Sequence, residues 1–221
     1  MRKYYLFILL AMTTVFAASL SSCKETDNEK EEFPNWQKTN EAYYDKKYAE
    51  VKQLVNGGAA DWKVLRSWSL DDKLATHSYD YVLANVLNAG TGSGCPLYTD
   101  SVKVHYSGRL LPSTSYAKGY IFDQSWQGEY NLSTMKPRTF AVNGVVKGFA
   151  TALQNMHIGD RWQVYIPHQL AYGSSDKPGA AYSTLIFDIT LVGYFRKTST
   201  AAAPSKDGAA QQQTAGYWVY E

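Results

Sequence analysis

Three stretches between residues 101 and 194 alternate apolar and polar residues with a period of two, and a single short stretch between them does not. Residues 101–107 (SVKVHYS) place Val102, Val104 and Tyr106 on one face. Residues 162–166 (WQVYI) do the same with Trp162, Val164 and Ile166, and STLIFDITLVGY with Leu185, Phe187, Ile189 and Leu191. A two-residue period marks a strand with one buried face. The exception, 148–156, brings Phe149, Leu153 and Met156 to one side of a helix. Strands that must cover one apolar face, with one short helix late in the domain, predict an α+β fold. Its form is a curled antiparallel β-sheet wrapped around a short α-helix.

Upstream, WKVLRSWSL and YDYVLANVL are rich in aromatic and β-branched residues and carry strand character from Trp62 onward. Gly90, Gly92 and Gly94 then break the chain before Cys95-Pro96. A tyrosine-rich connection runs over 108–121. Earlier still, Pro34-Asn35 opens a helix predicted over 36–55. Tyr44, Tyr48, Val51 and Val55 share one of its faces, and Asn56-Gly57-Gly58 ends it. That face either docks on the chain's own domain or meets a partner. Residues 34–78 are expected to form an N-terminal helical extension.

The first residues read as an address. Arg2 and Lys3 precede a mostly apolar run over 4–18, shorter than the roughly 20 residues a spanning helix needs. Small residues follow and end in Leu20-Ser21-Ser22-Cys23, the layout of a secretory signal. The last four residues resemble a bacterial lipobox. That resemblance implies a lipoprotein signal peptide over 1–22 and a lipid on Cys23; the alternative is an ordinary signal cut near Ala18. Residues 23–33, acidic through KETDNEKEE, would be a solvated tether. Acid-rich stretches at this place also resemble surface-export signals of Bacteroidetes lipoproteins. The expected location is the bacterial envelope, lipid-anchored at the outer membrane and facing the periplasm or the surface.

Charge narrows the partners. Without Arg2 and Lys3 the 22 basic residues fall to 20 and match the 20 acidic ones. A near-neutral mature chain has no basic field for nucleic acid. Once Cys23 is lipidated, Cys95 is a lone thiol, read as a small, partly buried residue. After Arg196 the chain turns to Ala, Ser, Gln, Thr and Gly, so 197–221 reads as a low-complexity tail. Its last apolar run, YWVY over 217–220, is either a terminal strand added to the sheet or a loose end.

The common catalytic signatures are missing. His77, His105, His157 and His168 form no HExxH, and there is no CxxC, GxSxG or phosphate-binding loop. His105 alternates away from the apolar face of its strand and reads as a plain strand residue. No metal and no cofactor is expected. Aromatics are dense instead. Most must be core, and a few can line an apolar cleft.

Six motifs then occur in order: VKVHYSG (102–108), FDQS (122–125), VVKGF (145–149), ALQNMHIGD (152–160), LAYG (170–173) and TLIFDITL (184–191). Together they resemble the FKBP-type peptidyl-prolyl cis/trans isomerase family over roughly 80–195, with the domain set at 79–196. The resemblance implies a proline pocket. Tyr106, Asp123, Tyr172 and Phe187 match its catalytic positions, and Phe122, Phe140, Val145, Val146 and Phe149 its substrate-binding ones. It places Phe149 at the floor, where tryptophan is usual. Tyr106, Phe122, Phe140 and Phe187 would be walls and Asp123 the edge. The Val146 N–H and the Tyr172 hydroxyl would bond substrate carbonyls. The implied partners are proline-containing polypeptides, and the implied role is assistance to the folding of envelope proteins.

Two departures bear on that expectation. After Tyr172 the segment GSSDKPGAAYST is about two residues shorter than usual, and Ala180 and Ala181 stand where bulky aliphatics are common. That loop overhangs the pocket, so grip on substrate and on macrolide inhibitors would weaken. Arg138 stands where an aromatic is frequent. The rival reading is a catalytically weak binding or chaperone module of the same fold, and a third is an adaptor working through the helix or the tail.

Overall fold

A computed structural model describes residues 30–198 and 215–220. The proposed signal, the cysteine proposed to carry a lipid, most of the proposed tether and 199–214 lie outside them. Among the described residues no helix is long and apolar enough to cross a membrane.

Helix α1 (Trp36–Asn56) leads to strand β1 (Trp62–Arg66) and β2 (Tyr81–Asn88). Then come β3 (Ser101–Arg109), β4 (Ile121–Gln124), β5 (Arg138–Ala141), helix α2 (Lys147–Leu153), β6 (Arg161–Ile166), β7 (Leu185–Lys197) and β8 (Gly216–Val219). The eight strands make one sheet in the order β1-β2-β6-β7-β3-β4, with β5 also on β3 and β8 also on β7. Every pairing is antiparallel. The architecture is α+β, a sheet whose inner face packs on α2.

The alternation explains the core. Val102, Val104, Tyr106, Trp162, Val164, Ile166, Leu185, Phe187, Ile189 and Leu191 are all buried. Helix α2 buries six of its seven residues. It lies so close to β6 that a Cβ on Gly148 would stand 2.2 Å from Ile166 Cγ2. Glycine there is a packing requirement.

Four details go beyond what the sequence stated. Strand β1 forms where strand character is read from Trp62 onward, within the 34–78 extension: WKVLR pairs with β2 from Trp62 opposite Asn85 to Arg66 opposite Tyr81. His105 is a residue of strand β3, as its alternation implied. It is buried, and its Nδ1 has no partner among the described residues. Burial holds its pKa below the ordinary histidine value. The end of the tail is a strand, with Tyr194–Val219 and Lys197–Gly216 in register. Lastly, α1 docks on its own domain. Tyr44 donates to the Tyr81 carbonyl at 2.7 Å, and Trp36, Asn40, Tyr44 and Val51 are buried.

Candidate functional site

The site residues reach one place from six directions. Strand β3 brings Tyr106, β4 brings Phe122 and Asp123, and β5 brings Phe140. A turn over Val142–Gly144 delivers Val145 and Val146 to the start of α2, which carries Phe149. Tyr172 follows the turn at His168–Leu170, and Phe187 stands on β7. All nine line a single cavity of about 360 Å³, together with Gly144 and Lys177. Neither of the last two was singled out by sequence. Lys177's only signal was its place in the loop after Tyr172.

The rings hold one another edge-on. Phe149 and Phe187 meet at 4.9 Å and 80°, Phe122 and Phe187 at 5.5 Å and 87°, and Tyr106 and Phe149 at 6.2 Å and 86°. Such edge-to-face contacts fix ring orientation beyond what area burial alone does. Phe149, Phe187 and Tyr106 are buried, while Phe122, Phe140, Val145, Val146 and Tyr172 are half-buried. The result is a buried aromatic floor with a more accessible rim.

Gly108, which ends the first motif, makes that floor fit. A Cβ there would stand 2.4 Å from Phe187 Cε1 and 2.7 Å from Phe122 Cζ. Phe187 cannot retreat, because Phe149 is behind it. Gly108→Ala is therefore expected to cost about 1–3 kcal/mol and to lower any activity of the pocket. Urea unfolding checks the first effect and turnover of a prolyl peptide the second. Ser125, from the second motif, fastens β3 at the same level. Its Oγ accepts from the Tyr106 N–H at 2.9 Å, and its own N–H donates to the Tyr106 carbonyl at 2.8 Å.

The edge carries one polar triad. The Tyr106 hydroxyl donates to Asp123 Oδ2 at 2.5 Å. Arg138 Nη1 reaches both Asp123 Oδ1 at 3.2 Å and the Tyr106 oxygen at 3.0 Å. Arg138 thus replaces an aromatic wall with a brace on the carboxylate. Across the mouth, the Tyr172 hydroxyl is unpaired among the described residues, and Lys177 Nζ lies 5.5 Å from the Tyr172 ring centre. Val146 caps α2, so its N–H is one that no helical carbonyl takes up.

Burial raises the pKa of Tyr106, with the adjoining Asp123 adding to it, and the same two causes raise Tyr172. Tyr43 on α1 is pushed up to about 12, mainly by burial. A folded pKa above the unfolded value of about 10 means the native state keeps protons that the unfolded chain releases. The stability so conferred is complete below about pH 10 and is lost as pH rises through the folded values. Urea midpoints should show a decline that begins near pH 10, with both pocket hydroxyls still protonated throughout the neutral range.

The loop expected to be weak is tied down. The Tyr182 N–H donates to the Gly173 carbonyl at 2.8 Å, closing it, and Ala180 is buried. Tyr182 sits at φ 57°, a left-handed conformation that is costly for a non-glycine residue. From α1, Trp36 Nε1 donates to Ser183 Oγ at 2.7 Å, and Asn40 Oδ1 accepts from the Thr184 N–H at 2.8 Å.

Residues 95–192 match the family described as FKBP-type peptidyl-prolyl cis-trans isomerase. A macrophage infectivity potentiator of Trypanosoma cruzi is 41% identical over 105 residues, covering 47% of this chain and 47% of that protein. An FKBP-type 22 kDa peptidyl-prolyl cis-trans isomerase of Escherichia coli is 37% identical over 109 residues, 48% of this chain and 47% of that one. An outer membrane protein MIP of Legionella longbeachae is 38% identical over 109 residues, 48% of this chain and 41% of that one. The chain spans about half the length of these curated relatives. Six motifs in order, a sheet packed on one helix and an aromatic cavity accompany that match, and over residues 95–192 the chain is similar to the FKBP-type peptidyl-prolyl cis-trans isomerase family.

Proposed function

We propose that this chain is a peptidyl-prolyl cis/trans isomerase that assists the folding of envelope proteins. The observation that carries it is the cavity of about 360 Å³, open and floored by Phe149, Phe187 and Tyr106. Rotation about an X–Pro bond is slow because the amide must lose its partial double-bond character. Once twisted, its carbonyl is less polar. A water-poor aromatic cup therefore favours the twisted state over the planar one that water prefers. In this reading the prolyl ring lies on Phe149 between Tyr106, Phe122, Phe140 and Phe187. The Val146 N–H and the Tyr172 hydroxyl donate to substrate carbonyls, in keeping with their lack of internal partners. Asp123 holds Tyr106 at the edge beside the rotating amide. The chemistry needs no covalent intermediate.

The test is proline-limited refolding of a denatured client with and without the protein. Acceleration by wild type, reduced in Asp123→Ala, supports the isomerase. A refolding rate unchanged by wild type, with the client still captured, would favour the non-catalytic chaperone module.

The same proposal puts the chain at a membrane through a lipid on Cys23. Support comes from the signal-like 1–22 stretch and from a relative named an outer membrane protein. A single acyl chain binds only marginally, so a multiply acylated cysteine is the fitting anchor. Cys23→Ala is expected to move the protein from the membrane pellet to the soluble fraction on centrifugation. Retention in the pellet would count against the anchor.

A further inference from the structure

We propose that the mouth of the pocket selects prolines flanked by an acidic residue, and that Lys177 and Arg138 set this preference; this rests on the isomerase reading above. The charges around the cavity are unequal in what they have left to give. Among the described residues Asp123 is the only carboxylate on its wall, and both its oxygens are engaged within the protein, Oδ2 by Tyr106 and Oδ1 by Arg138. The two cations, Lys177 on the wall and Arg138 just beyond it on Asp123 and Tyr106, are less committed. Arg138 uses Nη1 for both of its bonds, and its side chain is 52% exposed. A guanidinium carries five donors in a planar fork suited to carboxylate. It is held in place 5.7 Å from the centre of the Tyr106 ring. Lys177 lines the cavity with no carboxylate partner among the described residues. Its ammonium, 5.5 Å from the centre of the Tyr172 ring, is kept at the mouth by that contact. Asp176 precedes Lys177 and is exposed, but it does not line the cavity.

A prolyl ring seated on Phe149 leaves its neighbours at the rim, since consecutive Cα atoms stand about 3.8 Å apart. A glutamate or aspartate side chain there meets unspent donors. A lysine meets two like charges, and an apolar residue finds an arginine where an aromatic wall could have stood. Rim pairs of this kind are weak singly and screened by salt, so the effect belongs in discrimination between substrates.

The experiment measures kcat/KM on peptide pairs that differ only beside proline: Glu against Gln and Lys against Gln, once before and once after the proline. Wild type should favour Glu over Gln by about three- to tenfold at low ionic strength on at least one side. Lys should be disfavoured, and the ratio should shrink towards one at about 0.5 M salt. Lys177→Glu should bring the Glu-to-Gln ratio below one, and Arg138→Gln should lower it. Each ratio is taken on one preparation, so the fraction of active protein cancels. Measurable turnover with equal rates for Glu and Gln on both sides overturns this proposal and leaves the isomerase reading standing. A wild-type preference untouched by either substitution overturns it as well. Turnover of no peptide at all overturns the isomerase reading, and the proposal with it.

Discussion

Replacing Phe187 with alanine is expected to remove about 3–5 kcal/mol of unfolding free energy and to lower catalysis of proline-limited refolding by roughly tenfold or more. Both effects come from one ring. Phe187 stands on β7 between Gly108 of β3 and Val164 of β6, the centre of the sheet. It touches Phe149 at 4.9 Å, Phe122 at 5.5 Å and Tyr106 at 6.4 Å. Truncation opens a void beneath the floor. The strands around it are paired on both sides and cannot collapse inward, so the lost transfer energy and the cavity add. The loss of activity has a separate origin: a wall against which the prolyl ring would desolvate is gone, and each 1.4 kcal/mol of lost transition-state binding is a factor of about ten. Phe187→Leu separates them. A near volume-conserving swap should cost no more than about 1.5 kcal/mol, yet it replaces a flat ring with a branched chain in the wall. Urea unfolding of both variants, beside refolding assays well below their midpoints, gives the two numbers. Phe187→Leu with wild-type activity would show that filling the space suffices and that the aromatic wall does no more.

The strands and the pocket were readable because each motif lies on its own element and the alternation states which side faces inward. Val102, Val104 and Tyr106 fall on the inner face as a period of two requires. What escaped depends on contacts between distant residues. The fate of the YWVY end could not be read from the tail, because it depends on β7 being longer than its neighbour. Strand β6 pairs only as far as Thr190, so Tyr194–Lys197 leave an open edge that β8 takes. His105 is buried beside a cavity it shares with Tyr130, Leu132 and Tyr220, residues far along the chain that alternation within β3 does not record. Arg138 was visible only as a missing aromatic. Its bond to Asp123 needs β4 and β5 to meet the same strand β3, which they do at opposite ends. The stripe on α1 gave the helix but not its dock, since Asn40 and Thr184 are 144 residues apart.

Helix α1 is where the second large effect is expected, because it finishes the loop that borders the pocket. Trp36 Nε1 donates to Ser183 Oγ at 2.7 Å, and that hydroxyl donates to the Ala180 carbonyl at 2.8 Å. Asn40 accepts from the Thr184 N–H at 2.8 Å and donates to the Trp36 carbonyl at 2.8 Å. All four bonds are buried or part-buried, so none can be replaced by water without rearrangement. The small residues Ala180 and Ala181 cannot wedge this loop against the domain; the helix does so from behind. Trp36→Ala should therefore cost about 3–5 kcal/mol, and Asn40→Ala about 1–3 kcal/mol because the Thr184 N–H is left buried and unpaired. Trp36→Phe keeps the ring and deletes the donor. Combined with Ser183→Ala, it should show a coupling of about 0.5–3 kcal/mol in a double-mutant cycle, since the two side chains share one bond. The loop begins at Tyr172 and carries Lys177, so loosening it should raise KM for a prolyl peptide more than it lowers kcat. Asn40→Ala within about 0.5 kcal/mol of wild type, with KM unchanged, would mean that the helix merely covers the domain and leaves the loop to hold itself.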